Sequence, residues 1–212
     1  MFIELIDSLR CIRPHDETWL VASFNKVNNR FVEEAKLGCP SCSAEYWVRG
    51  GVADFSGELV LPECEDERKA ASHRREELAT RAGAYLEATE PGATVVLGGL
   101  WAYAAQELSE MAEIRVIAIN PPSGVKESET VGLVRVGSEI PLAAESVLGV
   151  ALDAWFPAKI VESAMRIVRP GGRIVGAAAV KAPSDLSILA HDDRYWVAQK
   201  APEVITISRA SR

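Results

Sequence analysis

Val147-Leu148-Gly149-Val150-Ala151-Leu152-Asp153-Ala154-Trp155-Phe156-Pro157 is followed at a short distance by Arg166-Ile167-Val168-Arg169-Pro170-Gly171-Gly172-Arg173-Ile174-Val175. The first stretch reads as a strand over 147–152 that runs into a helix start, with Pro157 at the first helical position. The helix extends over about 157–168. Pro170-Gly171-Gly172 then turns the chain into a second strand, Arg173 to Val180. Both apolar runs are continuous, not alternating. Such strands are covered on both faces, which makes this a strand–helix–strand unit of an α/β sheet.

The same alternation extends outward. Thr94–Leu97 is a buried strand, 100–111 a helix, Arg115–Ile119 a second strand and Leu133–Val136 a third. Trp196–Ala198 and Val204–Ile207 are placed as a closing antiparallel pair. The links at 121–132 and 137–146 are too short for full crossover helices, so the sheet is a trimmed one. Ahead of it, residues 63–88 place acids before bases, as a helix dipole favours. Leu78, Ala82, Tyr85 and Leu86 share one helical face, and Thr89-Glu90-Pro91-Gly92 stops the helix.

The first sixty residues differ in character. Trp19–Ala22 and Arg30–Glu33 read as short strands around a turn-rich Asn25–Asn29, with further strands at Glu45–Val48 and Val52–Phe55 joined by Arg49-Gly50-Gly51. Cys39-Pro40-Ser41-Cys42 is a tight knuckle between them. Two thiolates at that spacing reach one tetrahedral Zn²⁺. Cys11 is the third ligand and His15 the fourth, with Cys64 as the alternative to His15. The division is therefore a zinc-ribbon-like unit at 1–60, a linker helix at 61–92 and a Rossmann-like unit at 93–212.

Two resemblances follow from these motifs. Leu9-Arg10-Cys11, Leu37–Cys42 and Tyr46–Val52 resemble the small zinc-ribbon proteins that activate RNA and protein methyltransferases, over about residues 5–56. Members commonly carry two cysteine pairs. Here Pro14-His15 stands where the partner of Cys11 is expected.

The second half, over about 93–180, is similar to class I S-adenosylmethionine-dependent methyltransferases. Val136–Leu142 resembles the segment that meets the adenine, and Arg166–Arg173 the family's helix–turn–strand. The resemblance implies a cofactor held by Gly98 and Gly99 after the first strand and by Asn120 after the second, with Glu139 able to turn towards the ribose. The early motifs depart from the family. Val96 takes the place of an acid, Leu100 and Trp101 crowd the loop, and Asn120 is neutral where Asp or Glu is expected.

No catalytic residue is assigned. Asp153–Pro157 lies where many methyltransferases grip their target, but as residues it reads as a helix start. His191-Asp192-Asp193 reads as a solvated turn and His73 as surface.

The implied fold class is α/β: a Rossmann-like methyltransferase sheet preceded by a small β-rich zinc-ribbon-like domain. The implied cofactors are zinc and S-adenosylmethionine, the latter weakly bound or lost. The expected function is that of a degenerate methyltransferase homologue acting as a binding or regulatory module. An active methyltransferase and an activator of a separate methyltransferase are the alternatives. The partner is a protein or a second copy. The chain has 212 residues, 48% of them hydrophobic, and a net charge of −7. That charge argues against non-specific nucleic-acid binding, which needs phosphate neutralisation. The acidic start of the sequence is unlike a signal peptide, and no apolar run approaches the ~18–20 residues of a membrane span. A cytoplasmic protein is expected.

Overall fold

A computed structural model describes residues 1–57 and 73–202. Cys64, the acidic start of the linker and the strand expected at 204–207 lie outside the described residues. Eleven strands form one sheet: β1 Val21–Asn28, β2 Phe31–Gly38, β3 Glu45–Arg49, β4 Val52–Phe55, β5 Thr94–Gly98, β6 Arg115–Ile119, β7 Val131–Val136, β8 Val147–Ala151, β9 Val168–Ala177, β10 Leu186–His191 and β11 Tyr195–Lys200. Their order is β1-β2-β3-β4-β7-β6-β5-β8-β9-β11-β10.

The stretch from β7 to β9 is parallel throughout, with β5 between β6 and β8 as the sequence implies. Strand order reverses beside β5, which is the signature of a doubly wound sheet. β11 enters antiparallel between β9 and β10. The N-terminal strands β1 to β4 form an antiparallel meander. Its last strand pairs in parallel with β7, Val52 opposite Leu133 through Phe55 opposite Val136. The ribbon-like segment and the Rossmann-like segment therefore share one hydrogen-bonded sheet.

Alternation along each strand divides the core between two faces. Val95, Leu97, Val116 and Ala118 point to one side, where helix α2 (Arg75–Leu86) and helix α3 (Ala105–Ala112) cover them through Ala82, Leu86 and Leu108. Val96, Ile117 and Ile119 point to the other. Helix α4 (Ala158–Ile167) covers part of that face with Ile160, Val161, Ala164 and Ile167. Pro157 is its N-cap, so the helix starts one residue later than the sequence reading placed it.

The links 121–132 and 137–146 carry no helix. The space beside them is filled by the start of the chain. Helix α1 (Ile3–Ile6) is short, yet Leu5, Ile6 and Leu9 are buried in the same cluster as Ile117, Ile119 and Val134. Gly132 leaves room for Leu5, whose Cδ1 would lie 3.1 Å from any Cβ there. The backbone N–H of Arg10 then donates to Pro141 O at 2.9 Å, which ties the segment to the second short link.

Several boundaries differ from the sequence reading. The turn expected at Asn25–Asn29 sits at Asn29 and Arg30, whose φ values of 46° and 70° suit a tight hairpin. Asn25 to Asn28 continue β1, because an edge strand exposed along nearly its whole length can carry turn-like polar residues. β9 starts at Val168, and Pro170–Gly172 makes a bulge inside it opposite Val147–Gly149. Trp196–Ala198 pairs antiparallel with β9 and β10. β10 escapes sequence reading because only Leu186 in it is buried.

The buried N-terminal segment has a measurable consequence. Leu5→Ala should lower unfolding free energy by about 2–5 kcal/mol, the cost of a large-to-small change in a core. Leu189→Ala, on the exposed edge strand β10, should change it by about 0.5 kcal/mol or less. Urea midpoints of the two variants check this; equal midpoints would show that the N-terminal segment is not part of the core.

Candidate functional site

Two groups of residues carry the chemistry expected from the sequence: a sulfur–imidazole cluster in the meander, and the carboxyl edge of the parallel strands.

The cluster is built by a knuckle and a strap. After β2, Cys39 N–H donates to Ala44 O at 2.8 Å and Ser43 N–H to Cys39 O at 2.9 Å. Ser43 takes a left-handed φ of 57°, which closes the turn. Opposite it, residues 10–19 cross as a strap, with Cys11 N–H bonded to Thr18 O at 3.1 Å. The two bring Cys11, His15, Cys39 and Cys42 together, with all four ligand atoms within 4.8 Å of one another. Cys11 Sγ lies 3.7 Å from Cys42 Sγ, and His15 Nε2 lies 3.2 Å from Cys11 Sγ and 3.4 Å from Cys39 Sγ. A tetrahedron with Zn–S of ~2.3 Å and Zn–N of ~2.0 Å has edges of about 3.8 Å between sulfurs and about 3.5 Å between sulfur and nitrogen. The donor set and its spacing fit that ion.

The protonation pattern fits as well. His15 Nδ1–H donates to Asp16 O at 2.6 Å. A carbonyl only accepts, so the neutral ring turns its Nε2 lone pair towards the sulfurs. Burial pushes the Cys39 thiol up, but backbone N–H groups of Cys42 and Ser41 outweigh it and hold the thiol at about 7. Tyr46 closes the inner side, its hydroxyl 3.3 Å from Cys11 Sγ and accepting from Ile12 N–H at 3.4 Å.

At the carboxyl edge, Gly98 ends β5 and Gly99 opens a 3₁₀ helix, Gly99–Ala104. Asn120 follows β6, and Glu139 lies on the link after β7. Gly98, Gly99 and Asn120 therefore meet at the ends of two adjacent strands, where ligands bind in such sheets.

Side chains of this chain occupy that edge. The space a Cβ on Gly98 would need is taken by Phe156, whose Cε2 would lie 2.7 Å away, and by Leu152. Gly99 has φ +61° and faces the Asp153 carboxylate at close quarters. Asp153 is buried; it accepts from Leu100 N–H at 2.7 Å and from Trp155 N–H at 3.1 Å. A carboxylate thus takes up a loop N–H that a bound anion or hydroxyl would otherwise use. Trp101 does not narrow this crevice. It turns inward beneath α2, fully buried, with Tyr85 and Tyr195 against its ring at 6.3 and 5.0 Å. The 3₁₀ twist after Gly99 rotates it to the core, and Leu100 alone stays at the edge.

Asn120 is also engaged. Its Nδ2–H donates to Val136 O at 3.0 Å and its Oδ1 accepts from Val136 N–H at 2.8 Å. The amide imitates a peptide unit and extends the β6–β7 ladder by one rung. Its backbone has φ 46°, a left-handed conformation that Asn tolerates. Glu139 is half-buried, and no side-chain hydrogen bond reaches it among the described residues. His191 and His73 are both exposed. Asp192 accepts from Arg194 and Tyr195 N–H groups, which makes the 191–193 segment a hairpin turn.

Asp153 was legible in the sequence only as part of a helix start. A carboxylate at the end of β8, one strand from a glycine loop, was the available signal. No side-chain pattern announced the Asn120–Val136 bridge.

No protein-family model matches the sequence, and no characterised protein matches it. Among solved structures, a Methanococcus maripaludis protein assigned to the S-adenosyl-L-methionine-dependent methyltransferases overlaps 70% of this chain and 100% of its own, at 11% identity and a TM-score of 0.46. One chain of the complex between the Haloferax volcanii Trm112 methyltransferase activator and a candidate methyltransferase overlaps over 68% of this chain and 100% of its own, at 16% identity and a TM-score of 0.45. A Galdieria sulphuraria protein assigned as a sarcosine dimethylglycine methyltransferase overlaps over 55% and 52%, at 18% identity and 0.40. The chain spans the whole length of the first two and about half of the third. The strand order, not these loose overlaps, defines the class: a mixed α/β, Rossmann-like sheet with a β-rich, cysteine-bearing N-terminal segment. Among the described residues no helix is long and apolar enough to cross a membrane.

The Asn120 bridge predicts a stability effect. Asn120→Leu strips two hydrogen bonds from the buried Val136 backbone and puts a bulky residue at positive φ. It should cost about 2–4 kcal/mol. Asn120→Gly, which loses the bonds but not the conformation, should cost less. Thermal melts of both variants check the order; an Asn120→Leu chain as stable as wild type would show the bridge to be incidental.

Proposed function

We propose that this chain is a methyltransferase-like protein whose cofactor position is closed by its own side chains, and that it acts as a binding or regulatory module. The observation that carries the reading is the Asp153 carboxylate on Leu100 N–H, with Phe156 beside Gly98. S-adenosylmethionine would have to displace a buried, hydrogen-bonded carboxylate to reach the loop. It would also find the Asn120 amide already spent on Val136. The residues present do not fit the cofactor.

In the N-terminal segment the proposal assigns one Zn²⁺ to Cys11, Cys39, Cys42 and His15. The ion would be structural: four protein ligands leave no open coordination position. Its role would be to hold the strap at 10–19 against the knuckle, and so to fix the meander that feeds β4.

The β4–β7 ladder bears on the activator alternative. The β4 edge of the ribbon-like segment is already hydrogen-bonded to β7 of the same chain. This favours a ribbon that serves its own methyltransferase-like half over one that offers this edge to a separate enzyme. Residence in the cytoplasm and action through a protein partner or second copy complete the reading.

Two measurements test it. Calorimetric titration with S-adenosylmethionine and S-adenosylhomocysteine should show no saturable binding in the micromolar range. A lost charge-assisted ribose contact alone weakens affinity by about 1.5–3 kcal/mol, roughly ten- to a hundred-fold. Micromolar binding of either ligand overturns the closed-site reading in favour of an active enzyme.

Elemental analysis of the purified chain should find one zinc per molecule. Its removal by a chelator should lower the unfolding midpoint, because structural metal binding is linked to folding. Cys42→Ser and His15→Ala should each lose zinc. A metal-free protein whose melting is indifferent to added zinc would sink the metal assignment.

A further inference from the structure

The glycine loop is not the only concavity at the carboxyl edge. One step along the sheet, beyond the ends of β5, β8 and β9, lies a cleft of about 270 Å³. Its apolar wall is made by Leu100, Trp155 and Tyr195. Its polar rim carries Arg74 from the N-cap of α2, Arg81 from the middle of that helix and Arg194 from the turn before β11.

The charges are unevenly matched. Glu77 is paired twice: both its oxygens accept from Arg74, at 2.7 and 2.5 Å, and Oε1 also accepts from Arg81 at 2.9 Å. The Arg194 guanidinium lies over the Tyr195 ring, 5.7 Å from its centre, and its charge adds to those of Arg74 and Arg81 in lowering the Glu77 carboxyl, but it donates no hydrogen bond among the described residues. Asp153, at the floor, directs its oxygens to the backbone of Leu100 and Trp155. Asp192 sits near Arg81 and accepts from the backbone of its own turn. Three guanidinium forks, each with five N–H donors, thus face two lining carboxylates whose oxygens are already occupied. The donors left over converge on a cleft with an aromatic wall, in a chain of net charge −7.

Tyr195 is not a loose surface ring. It is packed at 5.0 Å on the buried Trp101, which holds it as a fixed wall. A fixed aromatic surface beside unspent guanidinium donors suits a small ligand with a planar body and one anionic group. Guanidinium forks match the two oxygens of a carboxylate or phosphate. The volume, just under the range of drug-sized pockets, limits the body to about one ring.

We propose that this cleft binds a small aryl anion, a carboxylate or phosphate monoester. Arg194 and Arg81 hold the charge, and the ring lies against Trp155 and Tyr195.

Calorimetric titration of the full chain tests the site, with phenyl phosphate and benzoate as probes and benzyl alcohol as the uncharged control. Saturable binding of one or both anions is expected, with none for the alcohol. Arg81→Gln and Arg194→Gln should each weaken it about tenfold or more, as loss of a charged hydrogen bond implies. Both positions lie on the surface rim, and circular dichroism verifies that the variants fold. Leu100→Trp, which fills the cleft, should abolish binding. Absence of saturable binding by both anions overturns the proposal, as does binding that the double variant Arg81→Gln/Arg194→Gln leaves unchanged.

Discussion

The parallel ladder between Val52–Phe55 and Leu133–Val136 is the constraint on which the rest of the structure depends. Without it β7 would be the exposed edge of a short parallel sheet, and exposed edges are open to unwanted pairing. With it, the meander extends the sheet to eleven strands. The same ladder explains the missing crossover helices. The chain enters along the face that they would cover, and Leu5, Ile6 and Leu9 bury the apolar side chains that two short links leave bare. The N-terminal segment is therefore part of the core that supports the carboxyl edge.

That edge shows how a ligand position can be filled from within. Loop N–H groups near a helix start need an acceptor, and water or a ligand oxygen can supply it. Here Asp153 supplies it for Leu100. The end of β6 needs a partner for the last backbone groups of β7, and Asn120 supplies both donor and acceptor. Each substitution satisfies polar groups that would be costly to leave buried and unpaired. Both make the edge self-sufficient, and the concavity beside it lies towards β9 and β11, where three guanidinium groups meet two carboxylates.

The cysteine cluster follows a different logic. Its four donors come from a strap and a knuckle more than twenty residues apart, and neither is long enough to fold alone. The proposed ion would hold both in one geometry. The carbonyl of Asp16 fixes the imidazole tautomer, so the ring offers a lone pair where the sulfurs converge.

Much of this was legible in the residues. Continuous apolar runs at 94–97, 115–119 and 147–152 define buried parallel strands, because only a sheet covered on both faces tolerates them. Knuckle spacing at Cys39 and Cys42, with Cys11 and His15 upstream, identified the four donors that the fold brings together. Other features were out of reach of local pattern. β1 and β10 are exposed edge strands whose polar residues look like loop. Trp101 reads as an obstruction at the loop, and only the 3₁₀ twist sends it to the core. The pairing of β4 with β7 joins residues some eighty positions apart, and Asp153 meets Gly99 across two strands. Burial periodicity is a property of each segment, so the sequence alone determined which of the buried segments are strands or helices. Which segment covers which, and which side chain fills a ligand's place, depends on long-range contacts that no local pattern encodes; the tertiary structure alone decided them.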